Sequence, residues 1–273
     1  MNINNSHLGQ KSAYIDQYDA SLLFPIPRAT KRNEIGISEH KLPFSGVDTW
    51  NHYEVSWLNP KGKPQVATCK ITYPCQSPNI IESKSMKLYF NSFNNFKFES
   101  LRQVEDIITT DLSNGVGAKV IVTLSLLKTN KLDQISCHFN GICLDDLDIE
   151  CNVYQPTPEY LTTTDEMVKE ILYSDLLKSN CLVTFQPDWG SVQISYSGKK
   201  INHDGLLRYI ISLRCHNEFH EQCVERIYND IWTRCTPNEL TVYARYTRRG
   251  GLDINPFRSS TSDLPVDMRL IRQ

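Results

Sequence analysis

The chain repeats itself at a spacing of 120 residues. Tyr89, Ser92, Val104, Glu105 and Ile107 return without a gap as Tyr209, Ser212, Val224, Glu225 and Ile227. Five identities between positions 89 and 107 stand against roughly one expected by chance between unrelated stretches. The order of elements repeats as well. In the first half, YEVSWL (53–58) alternates, VATCKITY (66–73) follows a Pro/Gly-rich turn, and helical patterns cover about 84–95 and 99–113. AKVIVTLSLL (118–127) then alternates Val120, Val122, Leu124 and Leu126 against Lys119, Thr123 and Ser125, the signature of a half-buried strand.

The second half gives strand-like stretches around 180–186 and at SVQISYSG (191–198), then helices over about 203–214 and 220–235. Val224, Ile227, Tyr228, Ile231 and Trp232 form a core-facing stripe on the last helix. ELTVYARYT (239–247) closes the series with period two. The expectation is an α+β chain of two β-β-α-α-β modules, 1–150 and 151–273, joined by an acidic connector over roughly 129–165 with strand content near 135–143. Coincidence between two amphipathic helices is the competing explanation.

Apolar residues make up 40 % of the 273, enough for a real core. The net charge of −2 gives no global basic field for nucleic acid, although Arg245, Arg248, Arg249, Arg258, Arg269 and Arg272 make the end of the sequence locally basic. The polar start resembles no signal peptide and no apolar run suits a membrane span. A soluble cytoplasmic protein is expected, with its nine cysteines mostly as thiols. No CxxC pair occurs, so zinc ribbons and thioredoxin-like chemistry are poorly supported.

Four clusters carry polar residues that could do chemistry. Ile81-Glu82-Ser83-Lys84-Ser85-Met86-Lys87 stands at a helix start. Ser83 or Ser85 could cap that helix, its exposed N–H groups with Lys84 would make an anion site, and Glu82 could accept two hydrogen bonds from a planar N–H edge. A helix start with charged solvation fits the same residues. In Ser179 to Gly190, Pro187 and Gly190 bracket a turn that would hold Asp188 at a strand end, facing one pocket with Cys181. Cysteine is a strong nucleophile once its pKa is lowered, and an aspartate in a partly apolar pocket can stay protonated and serve as an acid. A lone cysteine beside Leu and Val is equally a small buried hydrophobe.

His216 and His220 stand four apart, near Glu221 and Cys223. A continuous helix would put both histidines on one face as metal ligands. Neither HExxH nor the deaminase signature is present, and Asn217 and Glu218 suit a helix start. A polar contact to a ligand, or a structural cap, are the other readings. Tyr246-Thr247-Arg248-Arg249-Gly250-Gly251 ends a strand with a pattern suited to phosphate, a pattern that is common in itself.

Taken together, E-S-K-S-x-K-L-Y, C-L-V-T-x-Q-P-D-W-G, H-N-E-F-H-E-Q-C-V-E-R-I and Y-A-R-Y-T-R-R-G-G-L-D-I-N-P closely resemble one family. It is that of the NADPH-dependent nitrile reductases of queuosine biosynthesis, the 7-cyano-7-deazaguanine reductases, in their longer two-module form. Y-D-A-S-L-L and H-F-N-G-x-C extend the likeness over nearly the whole chain. The resemblance implies two tandem tunnelling-fold (T-fold) modules, each an antiparallel sheet with two helices on one face.

The resemblance also implies roles. Cys181 attacks the nitrile carbon to form a thioimide, and Asp188 protonates the nitrogen, with His220 beside them. Two NADPH then complete a four-electron reduction to 7-aminomethyl-7-deazaguanine. Ile81, Glu82, Ser83, His220 and Glu221 match substrate-binding positions, and Ser83, Lys84, Arg249 and Gly250 match NADPH-binding positions. No metal, nucleic acid or membrane is implied, and a homodimer is expected. A GxGxxG fingerprint is missing, so the cofactor is not bound in the Rossmann manner.

At offset 120, Glu82 meets Asn202, Lys84 meets Asp204, Cys181 meets Lys61 and His220 meets Ser100. Each half lacks what the other has, so one active site per chain, built between the modules, is expected. Two rivals remain: a zinc-dependent cyclohydrolase on the same fold, with Cys181 and His220 or His216 as ligands, and a nucleotide- or RNA-binding module using Arg245–Arg249.

Overall fold

The computed structural model describes residues 15–128, 135–182 and 184–273. The polar start of the chain, the first part of the expected connector (129–134) and Val183 lie outside the described residues. In chain order the described elements are β1 (Pro25–Pro27), α1 (Arg28–Glu34), β2 (Ser45–Leu58), β3 (Pro64–Pro74), β4 (Asn79–Ile81), α2 (Ser83–Asn91), α3 (Leu101–Val116) and β5 (Ile121–Leu126). Then follow β6 (Ile135–Ser136), β7 (Ile142–Cys143), β8 (Thr163–Ser174), β9 (Lys178–Asn180), β10 (Pro187–Ile201), α4 (His203–Ser212), α5 (His220–Cys235), β11 (Glu239–Tyr246), β12 (Leu252–Ser259) and β13 (Arg269–Leu270). The architecture is a mixed α+β one in which antiparallel pairing dominates. Among the described residues no helix is long and apolar enough to cross a membrane.

The chain forms two compact units. The first comprises Met1–Thr30, Thr49–Leu132 and Arg248–Asp253; the second comprises Lys31–Asp48, Asp133–Thr247 and Ile254–Gln273. The sequence repeat suggests a single cut at 150. The repeat records which residues correspond, whereas the units record which residues touch, and the two divisions need not coincide.

In the first unit β3 lies between β2 and β5, and α3 packs on β5. Helix α3 forms where its signals are local. Ser100 caps it by accepting the Gln103 N–H, and Gln103 accepts the Glu99 N–H in return. Val104, Ile108, Leu112 and Val116 make one buried stripe, and Gly117 at φ 71 ends the helix in the left-handed region. On β5 and its approach, Val120, Val122 and Leu124 are buried, as their alternation requires.

In the second unit the strand order is β12-β11-β10-β8-β7, with β9 pairing onto β10. Val192, Ile194 and Tyr196 point into the core from one face of β10. Helix α5 packs against β10 and β11 through Val224, Ile227, Tyr228 and Ile231, all buried. The expected strand content of the connector is confined to β6 and β7.

The repeat survives at the level of single contacts. In the first unit Tyr89 donates to Asp111 (2.7 Å), Ser92 donates to the Tyr89 carbonyl (2.6 Å), and Ser92 accepts the Asp19 N–H (3.2 Å). In the second, Tyr209 donates to Asp230 (2.6 Å), Ser212 donates to the Tyr209 carbonyl (2.6 Å), and Ser212 accepts the Thr157 N–H (3.2 Å). Asp19 and Thr157 each precede a short 3-10 helix, Ala20–Leu22 and Pro158–Tyr160. A buried Tyr-Ser pair therefore docks the entering chain in both units.

Candidate active site

Cys181 follows β9 directly and opens a six-residue connection to β10. Its N–H donates to the Gln186 carbonyl (2.8 Å), and its carbonyl accepts the Phe185 N–H (3.1 Å), with Phe185 at φ 56. The turn therefore occupies 181–186, where a strand is expected from sequence, and Pro187 to Gly190 are strand residues, not a bracketed turn. Pro187 suits the first strand position because it needs no ladder N–H there. Gly190 stays in the strand through its ladder pairing with Tyr246, whose ring leaves little room for a side chain: an added Cβ would meet Tyr246 Cδ1 at 3.1 Å.

This hairpin converts sequence distance into proximity. Asp188 pairs across the ladder with Ser179, two residues before Cys181. Cys181 and Asp188 are both buried. His220 begins α5, with Nε2 3.7 Å from Asp188 Oδ1. Its ring meets Tyr246 edge-on, the centroids 4.2 Å apart at 80°. Glu221 follows, buried in the first helical turn.

The backbone before α5 is tied to the backbone before Cys181. Asn180 donates to the His216 carbonyl (2.8 Å) and its carbonyl accepts the Glu218 N–H (3.0 Å). Arg226 grips the Glu218 carboxylate, Nε at 3.0 and 3.1 Å and Nη2 at 2.5 Å. Burial alone would raise the Glu218 pKa, but hydrogen bonds from His216 and Arg226 outweigh it and hold the carboxyl below its ordinary value. His216 precedes α5 and contacts Glu218 at 3.3 Å, while His220 faces Asp188 and Tyr246. The single helix face expected for a histidine pair does not form, because the chain is extended at His216 and Phe219.

Three of the other thiols are poorly suited to attack. Burial pushes Cys235 up to about 11, Cys223 up to about 12, and Cys69 higher still. All three stay protonated near neutral pH.

The first unit holds the remaining residues singled out in the sequence. Ile81 ends β4, paired with Pro25 of β1 and buried. Glu82 itself caps α2: its carboxylate accepts the N–H groups of Lys84 (2.6 Å) and Ser85 (2.8 Å), and the Ser83 hydroxyl at 3.4 Å. Ser83 and Ser85 therefore do not cap the helix, and these N–H groups are not left open to an anion. Ser85 turns inward, donating to the Glu82 carbonyl and accepting the Phe24 N–H. Burial raises the Glu82 pKa, and the two backbone hydrogen bonds oppose that rise. Ser83 and Lys84 are half-buried.

Arg249 and Gly250 sit on a tight turn. Arg249 and Leu252 exchange backbone hydrogen bonds, and Gly250 and Gly251 have φ of 60° and 80°. Positive φ at both central residues is what a type I′ turn requires, which explains the glycine pair. The missing side chain also leaves room for Lys87: a Cβ on Gly250 would lie 3.2 Å from Nζ. Arg248 lies over the Tyr53 ring, 4.9 Å to its centroid. His52 supports the turn from below, its Nδ1 3.0 Å from the Gly251 carbonyl. Burial lowers the His52 pKa to about 4, and the ring is neutral. His52 escapes a reading by motif, as does Tyr246's support of His220, because each role is set by contacts far along the chain.

A buried cysteine near a buried aspartate, with a histidine at the aspartate, is equipment for covalent catalysis assisted by an acid. Comparison with known proteins narrows the class. Residues 14–124 match the family described as nitrile reductase, 7-cyano-7-deazaguanine-reductase N-term, and residues 187–264 match the QueF-like protein family. A relative from Legionella pneumophila (strain Lens) is 59% identical over 272 residues, covering 99% of this chain and 95% of its own. A relative from Polaromonas sp. (strain JS666) is 59% identical over 273 residues, and one from Acidovorax ebreus (strain TPSY) is 58% identical over 277, each covering 98% of both chains. All three are named NADPH-dependent 7-cyano-7-deazaguanine reductase. The chain is an oxidoreductase of the nitrile reductase class. Within that class it belongs to the family of NADPH-dependent 7-cyano-7-deazaguanine reductases.

Proposed function

We propose that the chain reduces the nitrile of 7-cyano-7-deazaguanine to an aminomethyl group, a four-electron reaction in queuosine biosynthesis, through a covalent adduct on Cys181. The thiolate form of Cys181 bonds the nitrile carbon through Sγ as the nitrile nitrogen takes a proton from Asp188, giving a thioimide and leaving the Asp188 carboxylate. Sulfur attack turns a poor hydride acceptor into an imidate-like carbon, splitting one hard step into easier ones. When bound, NADPH supplies the hydrides, one for each two-electron step and so two per turnover. After the first reduction the C–S bond breaks, its electron pair returns to Sγ, and an imine remains for the second.

The observation that carries this reading is the β9–β10 hairpin, which sets Asp188 across from Ser179, two residues from Cys181, with His220 3.7 Å from Asp188. His220 orients Asp188 or the substrate. Glu221, and Glu82 in the first unit, are carboxylates matched to the ring N–H and 2-amino donors of a deazaguanine. Ile81 and Ser83 go with Glu82 as the first unit's residues assigned to the substrate.

The basic residues of the first unit fit a polyanionic dinucleotide. The Gly250 backbone is bare, Lys87 lies against it, and Arg248 is held on Tyr53. Because Glu82 occupies the α2 N–H groups, phosphate contact falls to the side chains of Ser83, Lys84 and Arg249. The T-fold assignment of the two modules, a metal-free reaction in the cytoplasm and a homodimer belong to the same proposal.

Mixing the protein with 7-cyano-7-deazaguanine tests it. A covalent adduct, absorbing in the near ultraviolet and adding the substrate's mass to the chain, is expected and should vanish in Cys181→Ala. An adduct that survives this substitution refutes the mechanism.

A further inference from the structure

The segment Arg269–Gln273 of the second unit lies outside the β10–β11 ladder but is tied to it by side-chain hydrogen bonds. Its strand β13 pairs in parallel with β6, and Leu270 is buried with Phe139, Tyr173, Tyr243 and Phe257. The two residues that follow Ile271 reach three backbone carbonyls, two of them on β10 and β11. Arg272 donates through Nη2 to the Gly190 carbonyl, to the Ser191 hydroxyl (3.0 Å) and to the Asp175 carbonyl (2.7 Å). Gln273 donates through Nε2 to the Tyr246 carbonyl (3.1 Å). Gly190 and Tyr246 are register partners on β10 and β11.

Gln273 has no freedom in this arrangement. It is 4 % exposed, and every hydrogen-bonding position of its amide is used. Nε2 also donates to Asn255 Oδ1 (2.8 Å), while Oε1 accepts from Arg245 Nε (2.6 Å) and from the Leu270 N–H (3.0 Å). Turning the amide over would set its NH₂ against two donors.

The gripped pair adjoins the proposed catalytic groups. Gly190 lies two residues beyond Asp188, and the Tyr246 ring fills the space its missing side chain leaves. The same ring supports His220 edge-on, and His220 faces Asp188 at 3.7 Å. We propose that Arg272 and Gln273 are positioning residues for the Asp188–His220 pair, acting through Gly190 and Tyr246. The catalytic consequence rests on the function proposed above; the structural one does not.

The test separates the two. Gln273→Glu keeps the acceptor for Arg245 and Leu270 but loses the donor to Tyr246; Gln273→Ala loses both. In the full chain with ¹³C-labelled histidine, the His220 imidazole signal is assigned by its loss in His220→Gln. That signal senses the Tyr246 ring. It should move by more than its linewidth in Gln273→Glu, while His52 and His203 hold still. With 7-cyano-7-deazaguanine, kcat should fall roughly tenfold at nearly constant KM, since small misplacements of reacting groups cost rate more than binding. Arg272→Lys, which retains a donor for Gly190, should recover most of the rate that Arg272→Ala loses. An unmoved His220 signal in both Gln273 variants overturns the proposal, as does a loss of kcat that only tracks the unfolded fraction in thermal melts. A moved signal in a protein that consumes no NADPH with the nitrile leaves the positioning role standing and removes the functional reading.

Discussion

Nε2 of His220 lies 3.7 Å from Oδ1 of Asp188, inside ion-pair range and beyond an ordinary hydrogen bond. A proton-donating role for Asp188 needs the carboxyl to be held, aimed and carrying its proton when the nitrile is attacked, and this spacing meets the first two. Asp188→Asn keeps the shape and removes the acid. Formation of the Cys181 adduct should then slow by about 10²- to 10⁴-fold, with the circular dichroism spectrum intact. Stopped-flow absorbance with 7-cyano-7-deazaguanine measures it, and an unchanged rate would assign the proton to another group.

Glu82 has two duties on the page, a structural cap and a proposed substrate contact. Glu82→Ala should cost about 1 kcal/mol in urea unfolding through loss of the α2 cap. The pH trend follows from the direction of its shift. Burial raises its folded pKa above the ordinary 4.5. Stability from this group is therefore fully present below 4.5 and lost as pH rises through the folded value. Glu82→Gln carries no such loss, so it should gain on the parent protein over the pH range that rises from 4.5. A gap that stays constant over that range would contradict the assignment.

His52 should show the opposite behaviour. Its folded pKa is about 4 against an ordinary 6.5. The stability it contributes is present above 6.5 and lost as pH falls toward 4, with a slope of up to about 1.4 kcal/mol per pH unit. Substituting His52→Asn should flatten that part of the stability curve. Proton NMR of the His52 ring checks the titration itself, and a midpoint near 6.5 would be incompatible with a buried neutral ring under the Gly250–Gly251 turn.

The repeat places Glu105 and Glu225 at equivalent positions, but their surroundings differ. Glu225 is buried between Arg32 (2.7 Å) and Arg258 (2.8 Å), whose guanidinium groups flank the Phe44 ring. Glu105 is partly buried, binds the exposed Arg102 and accepts the Leu124 N–H. Glu225→Gln should cost about 3 kcal/mol, since two buried cations lose a shared counter-charge while Asp48 and Glu39 remain. Glu105→Gln should cost under about 1 kcal/mol. Denaturant midpoints compare them, and equal losses would mean burial does not set the difference.

Local pattern determined α2 to α5 and the strands β2, β3, β5, β10 and β11, because alternation and the 3.6-residue stripe depend on near neighbours; it put a strand where Cys181 starts a turn and did not give β8 or β12. Val192, Ile194 and Tyr196 declare the buried face of β10, and Ser100 and Gly117 mark the ends of α3. The four motifs likewise pointed to Cys181, Asp188, His220, Glu82 and Arg249 before any contact was known. Tertiary structure alone decided how they are held. Glu82 rather than a serine caps α2, because its buried carboxylate reaches two N–H groups at once. The turn starts at Cys181, because Pro187–Trp189 pair with β9 and Gly190 pairs with Tyr246 of β11. Gly190 and Tyr246 are fixed by Arg272 and Gln273, which lie 82 and 27 positions further along the chain. No short pattern encodes such partners: a hydrogen bond between distant residues exists only once the sheet has brought them together.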